Sequence, residues 1–316
     1  MQILIFNPME QIVIIGSGPA AYAAALFSLK HNPVLFEGEL VNDIGPGGQL
    51  TTTTNVDNFP GFPKGVQGPE LMDGMKQQAL DKGVKIISET VNKLRKEENY
   101  FTIETDTQKL KAKSVILATG ASAKRLTVPG TNEGEFWQKG ISACAVCDGF
   151  FFKNGIVAII GGGDTAMEET QYMSNIAKKV YLIHRRNEFR ARADKVELIK
   201  SLKNVEIITP ATLVEAHGTK FLEYLTLENV ETKEHFKIDV NGLFFAIGHN
   251  PNTWFLSEDV DLNENGYVKT NERMHTSVEG LFACGDVQDF KYRQAVTAAA
   301  TGCIAAIESC KYVSKK

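Results

Sequence analysis

No stretch of this 316-residue chain approaches the ~18 consecutive apolar residues that a membrane-spanning helix needs, so a role inside a bilayer is not expected. Residues 1–9 hold no lysine or arginine, and neither a secretory leader nor an Arg-rich transit peptide is expected there; the chain could also start at Met9. Charge of one sign is missing too. Lys and Arg total 34 against 38 Asp and Glu, and a net of −4 supplies no general field for nucleic acid or an anionic membrane. Cysteine is scarce, and the count of 5 is odd, which fits a reducing cytoplasm better than a secreted disulfide framework. At roughly 100–200 residues per domain the length suits two domains with their own cores.

What the chain does have is glycine at the ends of strands. An apolar run over 11–15 stops at Gly16-Ser17-Gly18-Pro19, a helix is expected over 20–30, and a second apolar strand covers 34–36. The same grammar returns: strand 156–160, then Gly161-Gly162-Gly163, helix 164–174 and strand 180–183. Strand 114–118 closes on Thr119-Gly120-Ala121, and its counterpart 242–246 closes on Ile247-Gly248. Strand 281–283 ends at Cys284-Gly285-Asp286, before a helix over about 293–311 rich in small residues, which allow close packing. The Thr51–Thr54 run reads as an extended loop or strand. The expected fold class is α/β, with two Rossmann-like three-layer dinucleotide-binding domains. The second, over 122–249, is inserted in the first, whose pieces are 1–121 and 250–316.

A dinucleotide pyrophosphate needs a tight turn, a close backbone approach and a helix N-terminus, and the pattern glycine, any, glycine, two any, small residue supplies them. Gly16, Gly18 and Ala21 meet it in the first loop, Gly161, Gly163 and Ala166 in the second. An acidic residue about 20 positions on would bind ribose hydroxyls, and Glu37 stands there after the first loop. After the second loop the corresponding place holds His184, followed by Arg185 and Arg186, with Arg190 a turn later. An acid repels a 2′-phosphate, whereas guanidinium groups bind it through charge-assisted hydrogen bonds. The asymmetry assigns FAD to the first domain and NADPH to the second.

Cys144-Ala145-Val146-Cys147 is the one CxxC in the chain. No second ligand pair accompanies it, so no metal site is expected. The spacing suits a reversible disulfide with a lowered thiol pKa. Asp148 is either a general acid–base group for the proton that thiol chemistry must move or a turn aspartate ahead of Gly149. Cys284, Cys303 and Cys310 read as incidental thiols.

Through GSGPAA, GGQLTTTT, NFPGFP, ATGASAKR, ACAVCDG, GGGDTAMEE, HRRNEFRA, AIGHNPNT and GDVQDFKYRQA, the chain resembles the low-molecular-weight NADPH-dependent thioredoxin reductases over nearly its whole length. The resemblance implies a homodimer that reduces thioredoxin. It implies FAD contacts at Gly16, Ser17, Gly18, Pro19, Ala20, Ala21, Glu37, Ile44, Gly45, Gln49, Asn58, Val91, Asp286, Arg293, Gln294 and Ala295. For NADPH it implies Gly161, Gly163, Asp164, Thr165, His184, Arg185, Arg186 and Arg190. By the same resemblance Cys147 is the sulfur next to the flavin, Cys144 attacks the partner's disulfide, and Asp148 protonates the outgoing thiolate. Thr165 departs from the family's usual serine, and the loop 41–46 is individual to this chain. The same residues would also serve a flavin disulfide reductase for another small redoxin or a peroxidase, or a nucleotide-sensing flavoprotein without turnover.

Overall fold

Strand Glu10–Ile15 is apolar at four consecutive positions because both of its faces are covered: Ile12 and Ile14 point into one core, Val13 and Ile15 into the other. The computed structural model describes residues 9–39, 45–53, 55–132 and 134–315. It divides into two units, Met1–Ser122 with Asn250–Lys316, and Ala123–His249.

In the first unit Glu10–Ile15 pairs in parallel with Val34–Phe36 on one side and Lys109–Leu117 on the other, and Lys85–Ile87 extends the sheet beyond Val34–Phe36. Lys109–Leu117 is long enough to serve two partners along its far edge. Phe101–Glu104 runs antiparallel to its first half, and Leu281–Ala283 parallel to its second. Only its second half is legible as an apolar run. The first half alternates Lys109 and Lys111 with buried Leu110 and Ala112, the period of a strand that covers a core on one face only. Helices Pro19–Phe27, Gly68–Asp81 and Ala295–Lys315 carry residues into the core that holds Ile12 and Ile14.

The second unit has five parallel strands in the order Ile141–Ser142, Gly242–Phe245, Ile156–Ile160, Lys179–Ile183, Val205–Ile208. Helices Asp164–Ser174 and Ala193–Ser201 cover the face that carries Val157 and Ile159. An antiparallel sheet of Ala211–Gly218, Leu222–Asn229 and His235–Asp239 covers the face of Ala158 and Ile160.

Three local expectations change. The first helix ends at Phe27, because the Ser28 hydroxyl turns back to the Ala24 carbonyl at 2.7 Å and a 3-10 turn, Leu29–His31, follows. Thr51 lies in a 3-10 turn, Gly48–Thr52, and not in an extended segment: Gly47 and Gly48 take φ of 107° and 68°, and the Thr51 hydroxyl bonds back to the Gly48 carbonyl. The last helix starts at Ala295. Arg293 is left-handed at φ 49°, and the Asp289 carboxylate holds the N–H groups of Lys291, Tyr292 and Arg293 in a loop ahead of the helix.

The small residues of that last helix serve a close helix crossing. A Cβ on Gly302 would lie 2.2 Å from the Ala20 carbonyl oxygen, a backbone atom that cannot swing away. Gly302→Val is therefore expected to destabilise by about 1–3 kcal/mol. Gly74→Ala, in open space on an exposed helix position, is expected to stabilise by about 0.5–1 kcal/mol. Denaturant midpoints of the two variants, which should move in opposite directions, check both.

Candidate active site

The two glycine loops share one plan. A Cβ at Gly16 would stand 2.1 Å from the Ala118 carbonyl oxygen, and one at Gly161 would stand 2.4 Å from that of Ala246, so the end of a neighbouring strand excludes any side chain. Gly18 (φ −80°, ψ −177°) and Gly163 (φ −103°, ψ −178°) are the N-caps of their helices, and no side chain caps either helix. A Cβ at Gly18 or Gly163 would meet nothing within 4 Å. Each loop thus sets a helix N-terminus before an open space, the arrangement that cradles an anionic group. Pro19 opens the first helix, and Ala20 and Ala21 are buried against its neighbours.

Around the first loop the Ser17 hydroxyl donates to the Glu37 carbonyl at 2.8 Å and accepts from the Gly47 N–H at 2.9 Å, tying together the loop, the end of the second strand and the turn at 45–48. Gly45 accepts from the Gly48 N–H; Ile44 lies outside the described residues. The Glu37 side chain is buried. Ser88 donates to its Oε1 at 2.5 Å, and Oε2 pairs with Lys76 Nζ at 2.7 Å. A carboxylate has about four acceptor positions, so two stay open on Glu37. Gln49 donates to the Ala121 carbonyl, and Asn58 donates to Gln294 Oε1 at 3.2 Å, joining the two chain segments of the unit. Val91 is buried in the core with Ile15 and Phe36, away from any polar role for its side chain. Asp286 sits in the 3-10 turn Gly285–Val287, and no described residue hydrogen-bonds its carboxylate. Burial pushes its pKa up to about 7, Asp289 adds to the rise, and Arg293 opposes it.

In the second unit Arg185, Arg186 and Arg190 are exposed, and none pairs with a described carboxylate. Neighbouring charges are spent: Arg192 pairs with Asp194, and Lys195 with Glu168 and Asp164. The Asp164 carboxylate also accepts the Arg192 N–H at 2.9 Å, which lowers its pKa, with Lys195 adding to the effect. Thr165 follows it in the first turn of the helix. The Gly162 carbonyl accepts the N–H groups of Arg190 and Ala191, so the backbone itself ties the arginine loop to the glycine loop. His184 is buried between them. Its ring leaves no room for a Cβ on Gly162, stacks on Phe189 at 5.2 Å, and has Nε2 3.2 Å from the Glu188 carbonyl oxygen. Burial pushes its pKa down; the Glu188 contact opposes this and the three arginines reinforce it.

Cys144 and Cys147 form a disulfide across one helical turn, Ala145–Asp148, with their Cα atoms 5.3 Å apart. Cys144 is half-buried and accepts the Cys147 N–H on its sulfur at 3.2 Å; Cys147 is exposed. Asp148 caps no backbone N–H. It is buried, with Oδ2 accepting from Ser142 at 2.5 Å and Oδ1 without a partner among the described residues. The Ser142 oxygen also accepts the Cys144 N–H, so the acid is linked through one hydroxyl to the backbone of the first cysteine. Burial raises the Asp148 pKa against the opposing Ser142 hydrogen bond. Cys284, Cys303 and Cys310 are free thiols.

Residues 10–302 match the model of the pyridine nucleotide-disulphide oxidoreductases. The chain belongs to this family. Like its members it is an oxidoreductase. It is 48% identical to thioredoxin reductase 1, mitochondrial, of Arabidopsis thaliana, over 96% of this chain and 84% of that one. Thioredoxin reductase 1 of Saccharomyces cerevisiae is 45% identical, over 96% and 98%. The solved thioredoxin reductase of Giardia duodenalis superposes with a TM-score of 0.91 at 35% identity, covering 98% of this chain and all of that one. No helix among the described residues is long and apolar enough to cross a membrane.

Ser142, Ser88 and Lys76 lie outside the motifs quoted above. Ser88 and Lys76 reach Glu37 through tertiary structure, whereas Ser142 stands just before the ACAVCDG stretch that holds Asp148. The burial of Asp148 has a consequence for stability. With its pKa raised in the fold, the Asp148 carboxyl binds its proton more tightly there than in the unfolded chain, so its contribution to stability is present at low pH and is lost as pH rises through the raised value. Asp148→Asn is expected to unfold at a temperature closest to that of the parent near about pH 4, and above it near about pH 8. Thermal unfolding of the oxidised proteins across that range measures it; a parent more stable than the variant at the alkaline end contradicts a buried carboxyl with a raised pKa.

Proposed function

We propose that the chain is a thioredoxin-disulfide reductase that draws electrons from NADPH through FAD. The observation that carries this is a cysteine disulfide whose Cys144 backbone N–H is tied through the Ser142 hydroxyl to a buried acid, one oxygen of which has no partner among the described residues, in the unit that also bears a glycine loop backed by arginines that no described carboxylate pairs. Thioredoxin reductase is the name of the relatives and of the solved structure above, and the proposal brings that activity to this chain.

The first loop and its surroundings fit FAD. The open cradle at Gly18 would take the pyrophosphate, Glu37 the adenosine ribose and Asp286 a hydroxyl of the ribityl chain, with Asn58, Gln294, Arg293 and Ala295 around the remainder. In the second unit Gly163 and the helix behind it would take the NADPH pyrophosphate, and Arg185, Arg186 and Arg190 the 2′-phosphate. FAD, when bound, supplies a two-electron relay between NADPH and the disulfide. The Cys147 N–H directed at Cys144 Sγ favours a thiolate on Cys144, which suits it to attack the disulfide of thioredoxin. The mixed disulfide is then resolved by the Cys147 thiolate, which reforms the Cys144–Cys147 bond and releases thioredoxin as a dithiol. Asp148, kept protonated more readily by its burial, delivers the proton to the departing sulfur. A homodimer and a cytoplasmic location are part of the same reading. The location rests on three free thiols beside one cycling pair; some relatives carry a mitochondrial name, which is theirs.

Two experiments test this. Cys147→Ser should keep NADPH-driven bleaching of the yellow flavin and lose thioredoxin reduction by at least about 1,000-fold, trapping thioredoxin on Cys144; loss of both activities contradicts the relay. Arg185→Ala with Arg186→Ala should raise the KM for NADPH by about 10- to 100-fold and change that for NADH little. Equal losses for the two nucleotides would refute the phosphate role.

A further inference from the structure

We infer that Lys76 positions the Glu37 carboxylate for the adenosine ribose and so sets how tightly this protein holds FAD, an inference that rests on the reading of the first glycine loop as the FAD site. The Glu37 side chain is only 4% exposed, and a carboxylate that deep is costly unless it is paired. Ser88 gives Oε1 a neutral donor. Among the described residues the sole cation paired with Glu37 is Lys76, whose Nζ lies 2.7 Å from Oε2. Lys76 comes from the helix Gly68–Asp81, outside the glycine loop and both strands that frame it, and its side chain stays 35% exposed while its tip bears on the buried acid.

The geometry separates holding from occupying. An ionised carboxylate offers about four acceptor positions. Ser88 uses one of them and the Lys76 ammonium, 2.7 Å from Oε2, another, which leaves two for ribose hydroxyls. Asp73 is one turn earlier on the same helix. Burial raises the Tyr22 pKa, and Glu37 and then Asp73 add to the rise, so a second acid acts on the hydroxyl that Glu37 faces. Without the ammonium, Glu37 would keep only a neutral donor. Lys76 is thus a positioning residue that acts through Glu37.

A double-mutant cycle on the holoenzyme tests this, reading FAD release on dilution from the rise in free-flavin fluorescence. Lys76→Met should weaken FAD retention by about tenfold, Lys76→Arg should restore most of it, and Lys76→Met should add less than about twofold in a Glu37→Gln background. If Lys76→Met costs the same factor in both backgrounds, the lysine acts on the cofactor or the fold directly and the proposal is overturned. An unchanged Lys76→Met beside a weakened Glu37→Gln also overturns it and leaves the FAD site standing. An unchanged Glu37→Gln overturns the ribose reading of Glu37, and the Lys76 proposal with it.

Discussion

In both units a strand ends where a neighbouring strand's carbonyl occupies the space a side chain would need. Ala118 faces Gly16 in this way and Ala246 faces Gly161, each well inside van der Waals distance of an added Cβ. From this one close approach the remaining geometry follows. The chain must turn at a glycine, the next helix begins at a second glycine without a side-chain cap, and its first N–H groups are left for something other than protein. The strand that follows each helix then ends one residue before the position that differs: Glu37 after Val34–Phe36 in one unit, and His184, followed by the arginines, after Lys179–Ile183 in the other.

Two loops with the same backbone plan therefore differ by what stands at one strand end. In the first unit the acid is buried and partly satisfied by Ser88 and Lys76. In the second the histidine is buried as packing, wedged between Gly162 and Phe189, and the charge is carried outward by arginines that no described carboxylate neutralises. Residue type at this position was legible in the sequence because glycine spacing fixes the register. The division of labour within His184-Arg185-Arg186 was not, since the stacking on Phe189 depends on a turn whose path follows from the Gly162 carbonyl bonds to Arg190 and Ala191.

The same limit explains which parts of the fold could be read ahead. Central strands buried on both faces, such as Ile156–Ile160, appear as plain apolar runs, and the glycines that end them mark their length. Segments with one wet face escaped. The strand Lys93–Lys96 and the sheet that includes Leu222–Asn229 alternate polar with buried residues, and a search for apolar runs passes over them; their neighbour Phe101–Glu104 is buried at three positions but interrupted by Thr102. Helix ends were misplaced where side chains overrule periodicity, as with the Ser28 hydroxyl and the Asp289 carboxylate that holds the loop before Ala295.

The aspartates show how the fold sets chemistry without changing residue type. Asp164 meets a backbone N–H and the Lys195 ammonium, and its pKa falls, which keeps it a fixed anion that anchors a loop. Asp148 is given one neutral hydroxyl and no cation, and its pKa rises. A cation beside Asp148 would make it a better ion and a poorer proton donor, and none stands there among the described residues, which is what the proposed acid role needs. Asp286 goes further, raised by burial and by Asp289 with only Arg293 in opposition. Among the described residues, Asp148 with one open oxygen, Asp286 and the arginines 185, 186 and 190 are the groups that the proposed function would use, whereas acids paired as Asp164 is hold loops in place.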